Sequence, residues 1–112
     1  MTNATTRFFE SLEARGHEPR LEKVRASLRF DLENGEKRNR WHVAIDKGKI
    51  AVSHKNAHAD CIVRADSSVF DGIASGDVNP LAAVLRGALD IEGDAELLML
   101  LLRLSPAPGK ES

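Results

Sequence analysis

Alternating apolar and polar positions mark three strands in the first half of the chain. Leu28, Phe30 and Leu32 alternate with Ser27, Arg29, Asp31 and Glu33, so one face is apolar and the other charged. Asn34-Gly35 marks a turn. Trp41, Val43 and Ile45 then alternate with His42, Ala44 and Asp46, and Ile50 and Val52 continue beyond a second turn at Lys47-Gly48. A two-residue loop there sets Ile45 opposite Ile50, Val43 opposite Val52 and Trp41 opposite His54, which gathers every apolar side chain on one side of the sheet. A one-residue bulge at Gly48 would shift the hydrogen bonds but leave the same face apolar.

Helical spacing appears on either side of this meander. Phe8, Phe9 and Leu12 share a face, predicting a helix capped by Thr5 or Thr6 that runs to about Arg15 and ends at Gly16. Residues 17–24 are charged and contain Pro19, a connection with one short helical turn that points Leu21 and Val24 inward. A fourth strand is predicted over residues 60–65, with Cys61 and Val63 facing opposite to Ile62 and Arg64. Asp66 or Ser67 caps a short helix with Val69, Phe70, Ile73 and Ala74 inward, ended by Gly76. Asn79-Pro80 is an N-cap followed by proline at the first helical position, opening a helix over residues 81–86 that stops at Gly87. A fifth strand follows over residues 88–92 with Leu89 and Ile91 on one face, and Gly93-Asp94 opens a last helix over residues 95–104. Strands come first and helices later, which predicts an α+β fold with a mostly antiparallel sheet covered by helices on one face.

Composition narrows the classes. The chain of 112 residues has the length of one domain, and no internal repeat or long linker divides it. Its 16 Lys and Arg nearly balance 17 Asp and Glu, for a net charge of −1, so no nucleic acid or polybasic membrane contact is expected from charge. Cys61 stands alone, which excludes an intramolecular disulfide and a four-thiolate zinc site and points to a reducing, cytoplasmic setting. The first residues lack the apolar core of a signal peptide. The longest apolar run, residues 97–102, falls far short of the ~20 that span a bilayer, so a soluble protein without stable membrane insertion is expected.

Few residues carry chemistry. His54, His58, Asp60 and Cys61 are zinc-ligand types within eight positions, but they straddle a loop and a strand start, and the structural reading is preferred to a metal site. Lys37, Arg38 and Arg40 precede Trp41, yet Trp41 belongs to the inward face and the basic residues to the other, which disfavours base stacking. No serine has a nucleophile-elbow context, Cys61 lacks a paired base, and the glycines punctuate element ends without forming a phosphate loop. The last helix is apolar almost all round, from Leu97 to Leu104. Three readings of it are open: full burial, a protein interface, or the wall of an apolar cavity.

Several motifs in order resemble a known family. They are Arg40-Trp41-His42-Val43-Ala44-Ile45-Asp46-Lys47-Gly48, then Ala59-Asp60, then Phe70-Asp71-Gly72-Ile73-Ala74-Ser75-Gly76 in the pattern F-x-x-I-x-x-G. Asn79-Pro80 follows, then Gly87-Ala88-Leu89-Asp90-Ile91-Glu92-Gly93-Asp94 in the pattern G-x-L-x-I-x-G-D, and Leu104-Ser105-Pro106. Together they resemble the sterol carrier protein 2 (nonspecific lipid-transfer) domain over about residues 5–106, with 107–112 as a polar tail. The resemblance implies a five-stranded sheet with helices packed on one face and an apolar cavity between the layers. Sterols, fatty acyl chains, phospholipids or isoprenoid tails occupy that cavity, and no catalytic residues come with the family. Lys110-Glu111-Ser112 is not the peroxisomal address of the eukaryotic carriers, so a bacterial stand-alone member is expected.

Facing then selects the lining. Phe30, Trp41, Val43, Ile45 and Val52 form the floor on the sheet, and Phe70, Ile73, Leu85, Leu98, Met99 and Leu102 form the helical roof. Met99 suits an adaptable wall because its thioether chain repacks easily. His54 stands either at the cavity mouth, near a ligand headgroup, or as a solvent-facing edge residue. The expected activity is binding, transfer or presentation of an apolar small molecule or lipid, with no catalysis, cofactor or metal. The competing expectation is an interaction module whose last helix forms a homodimer or docks a partner enzyme.

Overall fold

The computed structural model describes residues 3–104, so the predicted tail and the Ser105-Pro106 end of the last motif lie outside the described residues. In chain order the elements are α1 (Ala4–Arg15), a single 3-10 turn (Pro19–Leu21), β1 (Arg25–Asn34), β2 (Lys37–Asp46) and β3 (Lys49–Ser53). They continue with β4 (Cys61–Asp66), α2 (Ser67–Ser75), α3 (Pro80–Leu85), β5 (Leu89–Gly93) and α4 (Ala95–Leu104). The five strands form one sheet in the order β3-β2-β1-β4-β5. Three of its pairs are antiparallel, and the central pair, β1 with β4, is parallel.

Register follows from the alternation in the sequence. Leu28 pairs with Val43 and Cys61, Phe30 with Trp41 and Val63, and Val63 with Ile91. These rows share one face of the pleat, and α1, α2 and α4 close over it. The predicted β2–β3 register is the observed one, with Val43 opposite Val52 and Ile45 opposite Ile50. Its two loop residues both have positive φ, 53° at Lys47 and 89° at Gly48, the backbone that a tight hairpin requires. Gly48 also lies against the 3-10 turn. Its carbonyl accepts from the Glu18 N–H at 2.8 Å, and a Cβ there would stand 2.9 Å from the Glu18 carbonyl oxygen.

The start of α1 differs from expectation. Its cap is Asn3, whose side chain accepts from the Thr6 N–H at 2.8 Å. Thr5 lies inside the helix and gives both its N–H and its hydroxyl to Asp71 Oδ1, at 2.9 and 3.1 Å, tying α1 to α2. At α2, Asp66 stands at the cap position but makes no side-chain cap bond, whereas α3 starts as expected. Asn79 caps α3 through the Ala82 N–H, and Pro80 takes the first helical position.

Two polar contacts lock the ends of these elements. Glu18 is only 5% exposed and is gripped by Arg20 and Arg15. Hydrogen bonds from the Arg20 side chain and backbone, with help from the Arg20 charge and a hydrogen bond from Arg15, outweigh burial and hold its carboxyl at about 2. Arg15 reaches on to the Leu104 carbonyl at 2.6 Å, joining the end of α1 to the end of α4. At the other end of the chain Gly93 has φ 93°, and a Cβ there would collide with the Asp60 carbonyl.

Glu18→Gln is expected to lower the thermal midpoint at pH 7. A depressed folded-state pKa stabilises the protein fully above the unfolded value of 4.5 and is lost as pH falls toward about 2, so the gap between the two proteins should close over that interval. Melting curves at pH 7, 4 and 2.5 measure this. Gly93→Ala is expected to destabilise by about 2 kcal/mol or more, combining the left-handed backbone with the collision, as read from urea unfolding.

Candidate functional site

The interior beneath the helices is organised around Phe9. Its ring stacks on Trp41 at 4.4 Å and 10° and on Phe70 at 5.9 Å and 15°, and meets Phe30 and Phe8 edge-on at 5.0 Å. Phe9, Phe30 and Phe70 are fully buried, while Trp41 is half-buried at the edge of the group. The outer side of Trp41 carries His54, with ring centroids 4.3 Å apart. The rings Phe70, Phe9, Trp41 and His54 therefore form a ladder from the core to solvent. His54 Nδ1 lies 2.8 Å from the Arg40 carbonyl, which can only accept, so Nδ1 carries the proton and Nε2 is left for other partners.

Most of the expected lining residues lie in this layer. Phe30, Val43, Ile45, Phe70, Ile73 and Leu98 are buried, and Trp41, Val52, Met99 and Leu102 are half-buried. Met99 and Leu85 are the exceptions. Met99 lies on the side of α4 opposite its buried leucines and does not pack against the core. Leu85 is 80% exposed, because α3 turns the small Ala83 inward against the domain and its leucines outward. Its place in the helical roof is thus corrected to the surface. The reading by facing also passed over Phe9, Leu12 and Leu101, all fully buried. The pairing of Phe8, Phe9 and Leu12 on one helical face was the available signal for the first two.

The apolar last helix divides its surface. α4 packs over β1 and β4 and buries Leu97, Leu98, Leu101 and Leu104. Leu100 and Leu102 on its flanks and Met99 on its outer side remain half-buried, and of these Leu102 packs against the core.

The opposite face of the sheet is polar but less solvated than its composition predicts. His42 is 8% exposed and sits where residues 54–60 cross the sheet edge, with its Nε2 giving its proton to the His58 carbonyl at 3.0 Å. Asp31 is 9% exposed between Arg40 and Arg29. Burial alone would raise its carboxyl, but the hydrogen bonds and charges of Arg40 and Arg29 outweigh burial and hold it below the ordinary range. A cleft of about 570 Å³ opens here, lined by Asp31, Glu33, Arg38, Arg40, Arg64 and Asp90 among others. A smaller pocket of about 180 Å³ lies beside Trp41 and His54, with Asn3, Thr5, Asn39 and Ser67 in its wall. Both are polar sites with charged or hydroxyl walls.

The zinc-type residues are separated by the fold. His58 is exposed and lies 3.6 Å from Asp60, His54 is held by the Arg40 carbonyl, and Cys61 points into the core. Among the described residues, no three His, Cys, Asp or Glu side chains converge. Burial, reinforced by Asp94, pushes the Cys61 thiol up to about 11, so it behaves as a small core side chain and not as a nucleophile.

Comparison with known proteins agrees with this architecture. The chain is 31% identical to sterol carrier protein 2 of Homo sapiens over 92 residues, covering 80% of this chain and 17% of that protein. It therefore spans about a sixth of the length of the curated relatives it matches. Among solved structures, palmitated SCP2L2 from Aedes aegypti superposes with a TM-score of 0.70 at 17% identity, covering 96% of both chains. A sec-alkylsulfatase from Pseudomonas sp. contains the same fold, with a TM-score of 0.72 at 19% identity over 93% of this chain and 16% of that one. The family profile matches residues 8–105 of the 112. The chain belongs to the SCP-2 sterol transfer family.

Proposed function

We propose that residues 5–106 form one lipid-binding unit that holds a fatty acyl chain, sterol, phospholipid or isoprenoid between its sheet and its helices and presents it without chemical change. The observation that carries this reading is the continuous apolar layer between sheet and helices in a member of a sterol-transfer family. The palmitate on the Aedes aegypti neighbour supports an acyl chain as the ligand class. Two regions of the layer differ in their readiness to admit one. Around Phe9 the rings are already in contact, whereas α4 rests on the sheet through leucines, with half-buried Leu102 on its flank. A ligand that slides beneath α4 displaces aliphatic side chains and leaves the ring cluster intact.

Desolvation suffices as the driving force. About ten buried methylenes contribute roughly 8 kcal/mol before the cost of association, enough for useful affinity without a polar anchor. Apolar walls separate chains of similar width poorly, so a broad ligand range is expected. The His54 pocket holds the Ser67 hydroxyl as well as the imidazole, but no hydrogen bond joins the two, and the proposed role is non-enzymatic. A reducing cytoplasm suits the single buried thiol, Cys61.

Purified full-length protein, extracted with organic solvent and analysed by mass spectrometry, should yield a co-purifying lipid. Titration with palmitate should change the emission of Trp41, the one tryptophan in the chain. Leu102→Glu is expected to weaken palmitate binding at least about tenfold while leaving the far-ultraviolet circular dichroism unchanged, since it sets a charge against the acyl chain. An empty extract together with a Trp41 signal indifferent to palmitate and cholesterol would overturn the reading.

A further inference from the structure

The outward face of the sheet holds its charges in rows set by the strand register. One row runs Arg40, Asp31, Arg64, Asp90 across β2, β1, β4 and β5, and the next runs Arg38, Glu33, Asp66 across β2, β1 and β4. All of these line the cleft of about 570 Å³. A face that served solubility alone would leave such groups in water. Here the Asp31 carboxylate is withdrawn from solvent, and Arg29 beside it keeps a buried Nε with no hydrogen-bond partner. Buried ion pairs are weak contributors to stability, which makes a network of them a candidate for binding.

Pairing leaves the cleft with two ends of opposite sign. On the β1–β2 side Arg29 and Arg40 share the one carboxylate of Asp31, while Arg38 and Glu33 cancel, so a positive charge is left over. Arg40 spends only its Nε on Asp31, and its terminal nitrogens are open. On the β4–β5 side Arg64 stands between Asp90 and Glu92. Asp66, exposed at the start of α2, makes neither an ion pair nor a cap bond. Even with Arg86, next to Gly87 in the wall, three carboxylates there face two guanidinium groups. A lone anion or cation would satisfy one end and leave the other uncompensated.

We propose that this cleft binds a short zwitterionic peptide, with its terminal carboxylate at Arg38 and Arg40 and its terminal ammonium at Asp66 and Asp90. Arginine suits the first end because its planar fork matches a carboxylate. Spacing suits the length. Arg38 and Asp66 lie in one row two strands apart, about 10 Å at the usual strand spacing, and an extended tripeptide reaches about that far. Ala65, Val69 and Ala88 complete the wall with small apolar groups. The site lies on the face of the sheet away from the apolar layer, so it goes beyond the lipid-binding reading and does not depend on it.

Triglycine tests this, titrated into isotope-labelled full-length protein and followed by nuclear magnetic resonance beside its N-acetylated and C-amidated forms. Triglycine should shift amide signals of β1, β2 and β4 around the cleft, and each capped form should bind at least about tenfold more weakly. Asp66→Asn should weaken triglycine to a similar degree and leave the acetylated form unchanged. Arg38→Gln should weaken triglycine and leave the amidated form unchanged. Both variants alter exposed side chains, and asparagine suits a helix start as well as aspartate, so circular dichroism and palmitate titration should match the parent. Equal binding of triglycine and its capped forms, shifts confined to another surface, or no shift at millimolar peptide would overturn the proposal. A protein that binds triglycine but no lipid would uphold it and remove the lipid-binding reading instead.

Discussion

All five aromatic side chains of this chain meet at one place. Phe8 and Phe9 come from α1, Phe30 from β1, Trp41 from β2 and Phe70 from α2, and their ring centroids lie 4.4–5.9 Å apart through Phe9 or Phe70. A helix of 12 residues is marginal by itself in water, and α1 is stable because this cluster fixes its apolar face to the sheet. Each ring pair adds about 0.5–1.5 kcal/mol beyond the area it buries, and the stacked and edge-on geometries permit few alternatives. The cluster sets the height of α1 and α2 over the central strands.

The reverse side of the same sheet is held by charge. Arg29 and Arg40 share Asp31, and Arg64 bridges Asp90 and Glu92 across the β4–β5 pair. The crossing segment is anchored to this side as well. Ser27 gives its N–H to Asp60 and its hydroxyl to the His58 carbonyl, and His42 donates to that same carbonyl. These bonds deliver the chain beside β1 with Cys61 opposite Leu28, which starts the parallel pairing. A polar loop thereby chooses the direction of the central strand pair, and the hydrophobic effect alone could not have made that choice.

Several titratable side chains serve the structure itself. Glu18 caps a turn and joins two arginines, Asp71 ties two helices, Asp31 neutralises two guanidinium groups, and His42 and His54 each serve a backbone carbonyl. The apolar layer carries no buried charge among the described residues, so under the proposed function its discrimination among ligands would depend on shape and area.

Local pattern was sufficient for much of this. Period-two alternation placed β1 to β3 and their shared face, Lys47-Gly48 gave the hairpin register, and Asn79-Pro80 and Gly76 marked helix ends, because each depends on residues within a few positions of one another. Motif order was legible too, and it carried the family. The remainder depends on contacts between residues far apart in the chain. Thr5 reads as a cap but is taken by Asp71, 66 positions away, leaving the cap to Asn3. Leu85 reads as core, yet α3 turns Ala83 and Val84 toward the domain and its two leucines to solvent. The parallel pairing of β1 with β4 leaves no trace in periodicity, since alternation is the same in either direction. Sequence pattern records which side chains avoid water, and packing alone settles which of them find room inside.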